Sequence, residues 1–167
     1  DYAYYMRAMC YFEQMKHEAL DGKNNQEAME NFNQIINRFP ESKYARDSQQ
    51  KIIFVKENIA AKHMDIALFY LNQKKYLAAL NRYNIVINEY SQSKFTPEAL
   101  YREVEIYYTL GMMDDAKKTS AVIGYNYPKS KWYKYSYRLL KKTDNKNNKK
   151  SLLNKISNFL TNDDKKE

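Results

Sequence analysis

The chain has 167 residues, with three glycines, three prolines, one cysteine and a formal net charge of +8. An all-β sandwich or barrel needs a turn about every 8–12 residues, which so few glycines and prolines cannot supply. Dinucleotide-binding and P-loop folds need clustered glycines; Gly22, Gly111 and Gly124 stand far apart, and the composition leaves an all-α domain. Apolar residues make up 44% of the chain, yet mean hydropathy is −0.85, as in helical stacks whose members each keep one wet face. No apolar run approaches the roughly 20 residues of a membrane span.

Charge is unevenly placed. Residues 1–115 carry 14 Lys and Arg against 16 Asp and Glu, whereas residues 116–167 carry 14 against 4. A nearly neutral body cannot track a phosphate backbone by bulk charge. The basic tail suits acidic protein, anionic lipid or nucleic acid, or simply a solvated Lys/Asn-rich end. The lone Cys10 excludes an internal disulfide framework. Because the sequence opens on Asp1, any secretory leader and lipid-attachment cysteine are expected upstream.

In chain order, apolar periodicity predicts a first helix from Tyr2 to about Leu20, then a turn over Asp21–Asn25. Ala28, Phe32, Ile35 and Ile36 mark a second helix, stopped at Phe39-Pro40. Ser42 caps a third helix expected from about Lys43 to Asn72, roughly 45 Å long. A break at Gln73–Lys75 precedes a fourth helix, about Tyr76 to Tyr90. After a loop over Ser91–Phe95, Thr96-Pro97-Glu98 reads as cap, first-turn proline and first-turn acid of a fifth helix ending at Leu110-Gly111. A sixth runs from about Met113 to Tyr125. Ser130 caps a seventh that contains Trp132, Tyr135 and Leu139. Thr143 to Lys150 is a polar linker, and Leu152, Leu153, Ile156, Phe159 and Leu160 form a short amphipathic stripe. The expected organisation is three helix pairs and a capping helix over 1–142, then a basic linker and helix over 143–167.

The helices repeat. Ala28, Ala79 and Ala116 are each followed four positions later by Phe32, Tyr83 and Ser120, and twelve later by Pro40, Ser91 and Pro128. Ala67 and Tyr70 precede Ala79 by the same intervals at which Val104 and Tyr107 precede Ala116. Small residues at close approaches, an aromatic wedge and a proline turn in about 34 residues make the tetratricopeptide pattern, and the fold class expected is a tetratricopeptide-repeat solenoid with one long helix. Ala28 and Ala79 lie 51 residues apart and Ala79 and Ala116 lie 37 apart; the longer interval is assigned to the long third helix.

Reactive chemistry is sparse. Glu13 and His17 can share a helix face, His63 reads as a packing residue among apolar neighbours, and Asp114-Asp115 suit a helix start. A metal needs three or four convergent ligands, so neither metal, cofactor nor enzymatic activity is expected. Repeat stacks bind through their surfaces, and Arg82, beside Tyr83, is the type of residue that anchors interfaces.

Ala60-Ala61-Lys62-His63, Ala67, Phe69-Tyr70, Tyr76, Ala78-Ala79, Asn81-Arg82, Pro97–Tyr101, Leu110-Gly111 and Asn126–Tyr133 resemble the C-terminal half of the BamD family, over about residues 1–140. The sequence departs at Ser91, where that family usually has proline. The resemblance implies a lipid-anchored protein on the periplasmic face of the outer membrane, part of the machinery that folds and inserts β-barrel proteins. It implies a non-catalytic scaffold that docks on a periplasmic domain of BamA and contacts BamE and other subunits. Unfolded outer-membrane proteins are further partners under this reading, and nucleic acid is not. The family's BamA-facing arginine matches Arg82, with Lys75, Tyr76 and Asn81 framing it. A generic peptide-binding tetratricopeptide adaptor, or a basic tail for nucleic acid or anionic lipid, is the alternative.

Overall fold

A computed structural model describes residues 1–17 and 22–141, whose regular structure is α-helical. The helices are α1 (Tyr2–His17), α2 (Gly22–Arg38), α3 (Lys43–Asn72), α4 (Tyr76–Glu89), α5 (Thr96–Thr109) and α6 (Met113–Asn126), with α7 over residues 131–141. The linker and stripe expected after residue 142 lie outside the described residues. The chain forms two compact units, one of Asp1–Thr96 and one beginning at Pro97.

In the first unit α2 packs on α1 and α3, and α3 packs on α4. The 30 residues of α3 serve two neighbours in turn. Ala45, Ile52 and Val55 from its first half join Ala8, Phe12, Ala28, Phe32 and Ile35 in one core. Ala60, Met64 and Ala67 are buried in its second half, and α4 buries Ala79, Leu80, Tyr83 and Val86. Burial of a side chain the size of Phe32 or Val55 contributes roughly 1.5–3 kcal/mol. This double duty is why the first two alanine anchors stand so far apart. Tyr5 donates a hydrogen bond to Asp47, tying α1 to α3.

The turns repeat as closely as the helices. Ser42, Ser93 and Ser130 each donate a backbone N–H to the carbonyl three residues back, on Phe39, Tyr90 and Tyr127, at 3.0, 2.8 and 3.0 Å. Their hydroxyls accept from the N–H groups of Tyr44, Phe95 and Tyr133, each at 3.2 Å. Ser91, standing where the other two turns have Pro40 and Pro128, leaves this pattern intact. The Glu57 carboxylate of α3 reinforces that turn, accepting from Ser93 Oγ and the Lys94 N–H, both at 3.0 Å.

The α3 and α5 C-termini close alike. Lys74 N–H reaches Leu71 O and Lys75 N–H reaches Tyr70 O, while Gly111 N–H reaches Tyr108 O and Met112 N–H reaches Tyr107 O. These are Schellman closures, which require a left-handed residue. Lys74 takes φ 59° and Gly111 φ 77°. In the second unit, Ser120 Oγ donates to Ser136 Oγ at 3.0 Å, joining α6 to α7. A Cβ on Gly124 would meet the Tyr133 ring at 2.8 Å, so glycine permits that close approach.

Two local expectations are corrected. The turn expected over Asp21–Asn25 is helical from Gly22 onward. The first N–H groups of a helix have no intrahelical partner, so residues that favour turns elsewhere are tolerated there. Thr96 is not a cap: it is the first residue of α5, and its hydroxyl donates back to Tyr90 O at 3.0 Å. The open carbonyls at the α4 C-terminus need donors, and the Thr96 hydroxyl supplies one.

Candidate partner-binding surface

The helix α4 carries the residues singled out from the sequence. Its inner face is set by Ala79, Tyr83 and Val86, at the three- and four-residue spacing of one helix side. Its outer face holds Asn81, exposed, and Leu77, 74% exposed. Arg82 and Tyr76 are half-buried at the borders, and Lys75 is exposed at the N-cap. At about 100° per residue, Lys75 and Arg82 fall within roughly 20° of one line, while Tyr76 and Asn81 turn about 100–120° to opposite sides. The structure thus aligns the two cations and separates Tyr76 from Asn81.

Electrostatics sharpen the face. The first turn of α4 contains no acid, and Lys75 makes no side-chain cap. Lys74 and Lys75 therefore stand at the positive end of the helix macrodipole. Arg82 makes no ion pair within the described residues, and its guanidinium acts on His63 of α3. Burial first, and then Arg82, hold the His63 imidazole below its usual pKa, against a weaker opposing pull from Glu89. His63 is half-buried, and its ring stacks on Tyr90 with centroids 6.2 Å apart. The expectation of purely apolar neighbours is thus corrected: α4, invisible from the flanking sequence of α3, brings a cation, an acid and an aromatic to it.

The arrangement offers charge from Lys74, Lys75 and Arg82 on one side of α4 and an exposed apolar side chain, Leu77, on another. Leu77 was not singled out from the sequence. Its signal is its register, two residues off the buried Ala79 and so on the far side of the helix.

Elsewhere, Cys10 is exposed and Asp114 and Asp115 occupy the first turn of α6. The side chain of His17 lies outside the described residues. Among those described, no group of three or more His, Cys, Asp or Glu side chains can hold a metal ion, and no helix is long and apolar enough to cross a membrane. Glu103 of α5, also not singled out, is 6% exposed. Its Oε1 has no hydrogen-bond partner there, and burial pushes its carboxyl up to about 7.

Helix pairs joined by matching turns and anchored on buried alanines define a tetratricopeptide-type helical repeat protein. A family model described as YfiO, outer membrane lipoprotein, matches residues 1–123, and the chain belongs to that family. It is similar to the outer membrane protein assembly factor BamD of Rickettsia prowazekii, 44% identical over 144 residues that cover 86% of this chain and 57% of that protein. It is also similar to BamD of Caulobacter vibrioides, 40% identical over 83% of this chain and 46% of that protein. BamD of Neisseria meningitidis serogroup A is 28% identical, over 83% of this chain and 55% of that protein. The chain spans about half the length of these curated relatives.

Proposed function

We propose that the chain is a non-catalytic scaffold of the β-barrel assembly machinery at the periplasmic face of the outer membrane, docking on the periplasmic domain of BamA. The relatives named as assembly factors support the role, and the family description supports the outer-membrane association. The observation that carries the docking face is the outer side of α4. Arg82 stands half-buried at its border without an ion pair among the described residues, in line with Lys75, and Leu77 lies exposed further round the helix. Arginine presents a planar fork that binds a carboxylate through two hydrogen bonds, and partial burial of that fork strengthens the contact. Tyr76 and Asn81 frame it from the two flanks. BamE and other subunits use surfaces outside α4 under this reading.

The test is Arg82→Glu, read by binding to the isolated periplasmic domain of BamA and by the thermal melt of helicity. Charge reversal at a partly desolvated pair should weaken binding at least about tenfold, with the melt unchanged. Undiminished affinity would reject the role, and a collapsed melt would reassign Arg82 to the packing of α4 on α3.

A further inference from the structure

An interval of 37 residues relates the later turns and helices to one another. It carries Ser93 to Ser130, and the left-handed Lys74 to the left-handed Gly111. It also carries the buried Ala79, Tyr83 and Val86 of α4 to the buried Ala116, Ser120 and Ile123 of α6. One interval further stand Asn148, Leu153, Ser157 and Leu160. Asparagine is among the few residues besides glycine that take left-handed backbone readily. Leu153, Ser157 and Leu160 keep the steps of four and three that hold one side of a helix, and Ser157 repeats Ser120. The helix starts Tyr76 and Met113 project to Lys150, directly ahead of the apolar stripe.

The face that such a segment needs is open on α7. Leu100 and Val104 of α5 are buried. Their counterparts on α7, by the same interval, are Tyr137, 56% exposed, and Lys141, also exposed. Elsewhere α7 is engaged: Trp132 and Tyr135 meet the Tyr101 ring of α5 with centroids 5.3 and 5.9 Å away, and Ser136 bonds to Ser120 of α6. At about 100° per residue, Tyr137 and Lys141 turn roughly 120–160° from Tyr135. The Lys141 ammonium lies 5.9 Å from the Tyr137 ring centroid, so the two form one surface. Nine residues separate Lys141 from Ser151. Extended, they span up to about 30 Å, more than enough to return along α7, which is roughly 16 Å long.

We propose that the chain's own residues 150–161, which lie outside the described residues, occupy this face as a helix antiparallel to α7, completing a further helix pair. Leu153, Ile156 and Leu160 cover Tyr137 and the aliphatic stem of Lys141, since a lysine buries its stem while its ammonium stays in water. In that orientation Asp163 and Asp164 come to the start of α7, where Lys131 and Lys134 stand exposed and where the helix macrodipole favours acids. The stripe thus serves as the last layer of the repeat stack, and neither a second copy nor another subunit is needed to cover α7.

The experiment is amide hydrogen exchange of the full chain, read by mass spectrometry over α7 and, as an internal control, over α1 and α2. Ile156→Asp puts a charge into the covered stripe and should speed exchange in α7 at least about tenfold, with α1 and α2 unchanged. Asn154→Asp, on the opposite side of the same segment, should leave α7 as it is. Unchanged exchange of α7 in Ile156→Asp overturns the docking, as does equal loosening of α1 and α2. Equal effects of the two variants overturn the register. Protection of α7 that is lost on about hundredfold dilution, together with a fall in mass by light scattering, would assign the face to a second copy and overturn the intrachain occupant.

Discussion

Lys74 and Gly111 occupy the same place in two turns, 37 residues apart, and around them the backbone hydrogen bonds repeat. The N-caps of α4 and α6, Lys75 and Met112, have φ/ψ of −83°/67° and −80°/69°. Their C-caps, Tyr90 and Tyr127, both accept the closing geometry with N–H groups bonded to Val86 O and Ile123 O. The chemistry carried on this common frame is opposite. The α3–α4 turn displays Lys74 and Lys75 and leads into Leu77; the α5–α6 turn displays Gly111 and leads into Asp114 and Asp115. Where α3 has the half-buried Ile66, α5 has the buried Glu103. The lesson is that repeat geometry is held by backbone hydrogen bonds and small buried residues, which leaves the exposed positions free to differ. Under the proposed docking the cationic turn meets the partner, whereas the acidic one stabilises its own helix.

The largest effect is expected at Glu103. A buried carboxyl with its folded pKa raised from 4.5 to about 7 loses nothing below about pH 4.5, where it is protonated in both states. It then costs stability as pH rises from 4.5 to 7, and the deficit is constant above that. The gap between those values corresponds to roughly 3 kcal/mol. Glu103→Gln should therefore raise stability by up to that order at pH 8 and by little at pH 4.5, as measured by urea unfolding at the two pH values. An equal effect at both would show that the carboxyl is not titrating in the fold.

Next is Leu77→Asp, which gives α4 the residue α6 has at that place. Loss of the exposed apolar side chain and added repulsion should weaken binding to the BamA periplasmic domain about tenfold or more. The same change should raise the melt slightly, since an acid in the first turn contributes about 0.3–1 kcal/mol. Affinity and stability moving in opposite directions is an outcome that general unfolding cannot mimic.

The smallest effects concern the turns themselves. A side chain in the left-handed region costs about 1–2 kcal/mol, offset partly by glycine's greater freedom in the unfolded chain. Gly111→Lys should destabilise by roughly 1 kcal/mol, and Lys74→Gly should stabilise by up to about the same. Chemical denaturation of the two single variants checks both signs.

Much of the architecture is legible in the residues. Ser42 and Ser130 announce their caps, Pro40 and Pro128 their turns, and the unbroken 3–4 rhythm through Ile52, Val55 and Ile59 gives α3 its bounds. What stays hidden depends on partners distant in sequence. Ser93 is held in its turn by Glu57, from the middle of α3. His63 meets Arg82 and Tyr90 only once α4 folds back. Glu103 reads as an ordinary surface acid because nothing local distinguishes a charged residue that the fold has enclosed. On α4, residue type alone picks Arg82, while Leu77 needs the orientation of the helix to be recognised as outward.

The length of α3 has a mechanical corollary. One uninterrupted rod supplies the wall for α2 at one end and for α4 at the other, and through Glu57 it also grips the segment beyond α4. Helix repeats are elsewhere joined by loops; here two of them share one continuous helix. A displacement of α4 therefore bears on the same helix that walls α2.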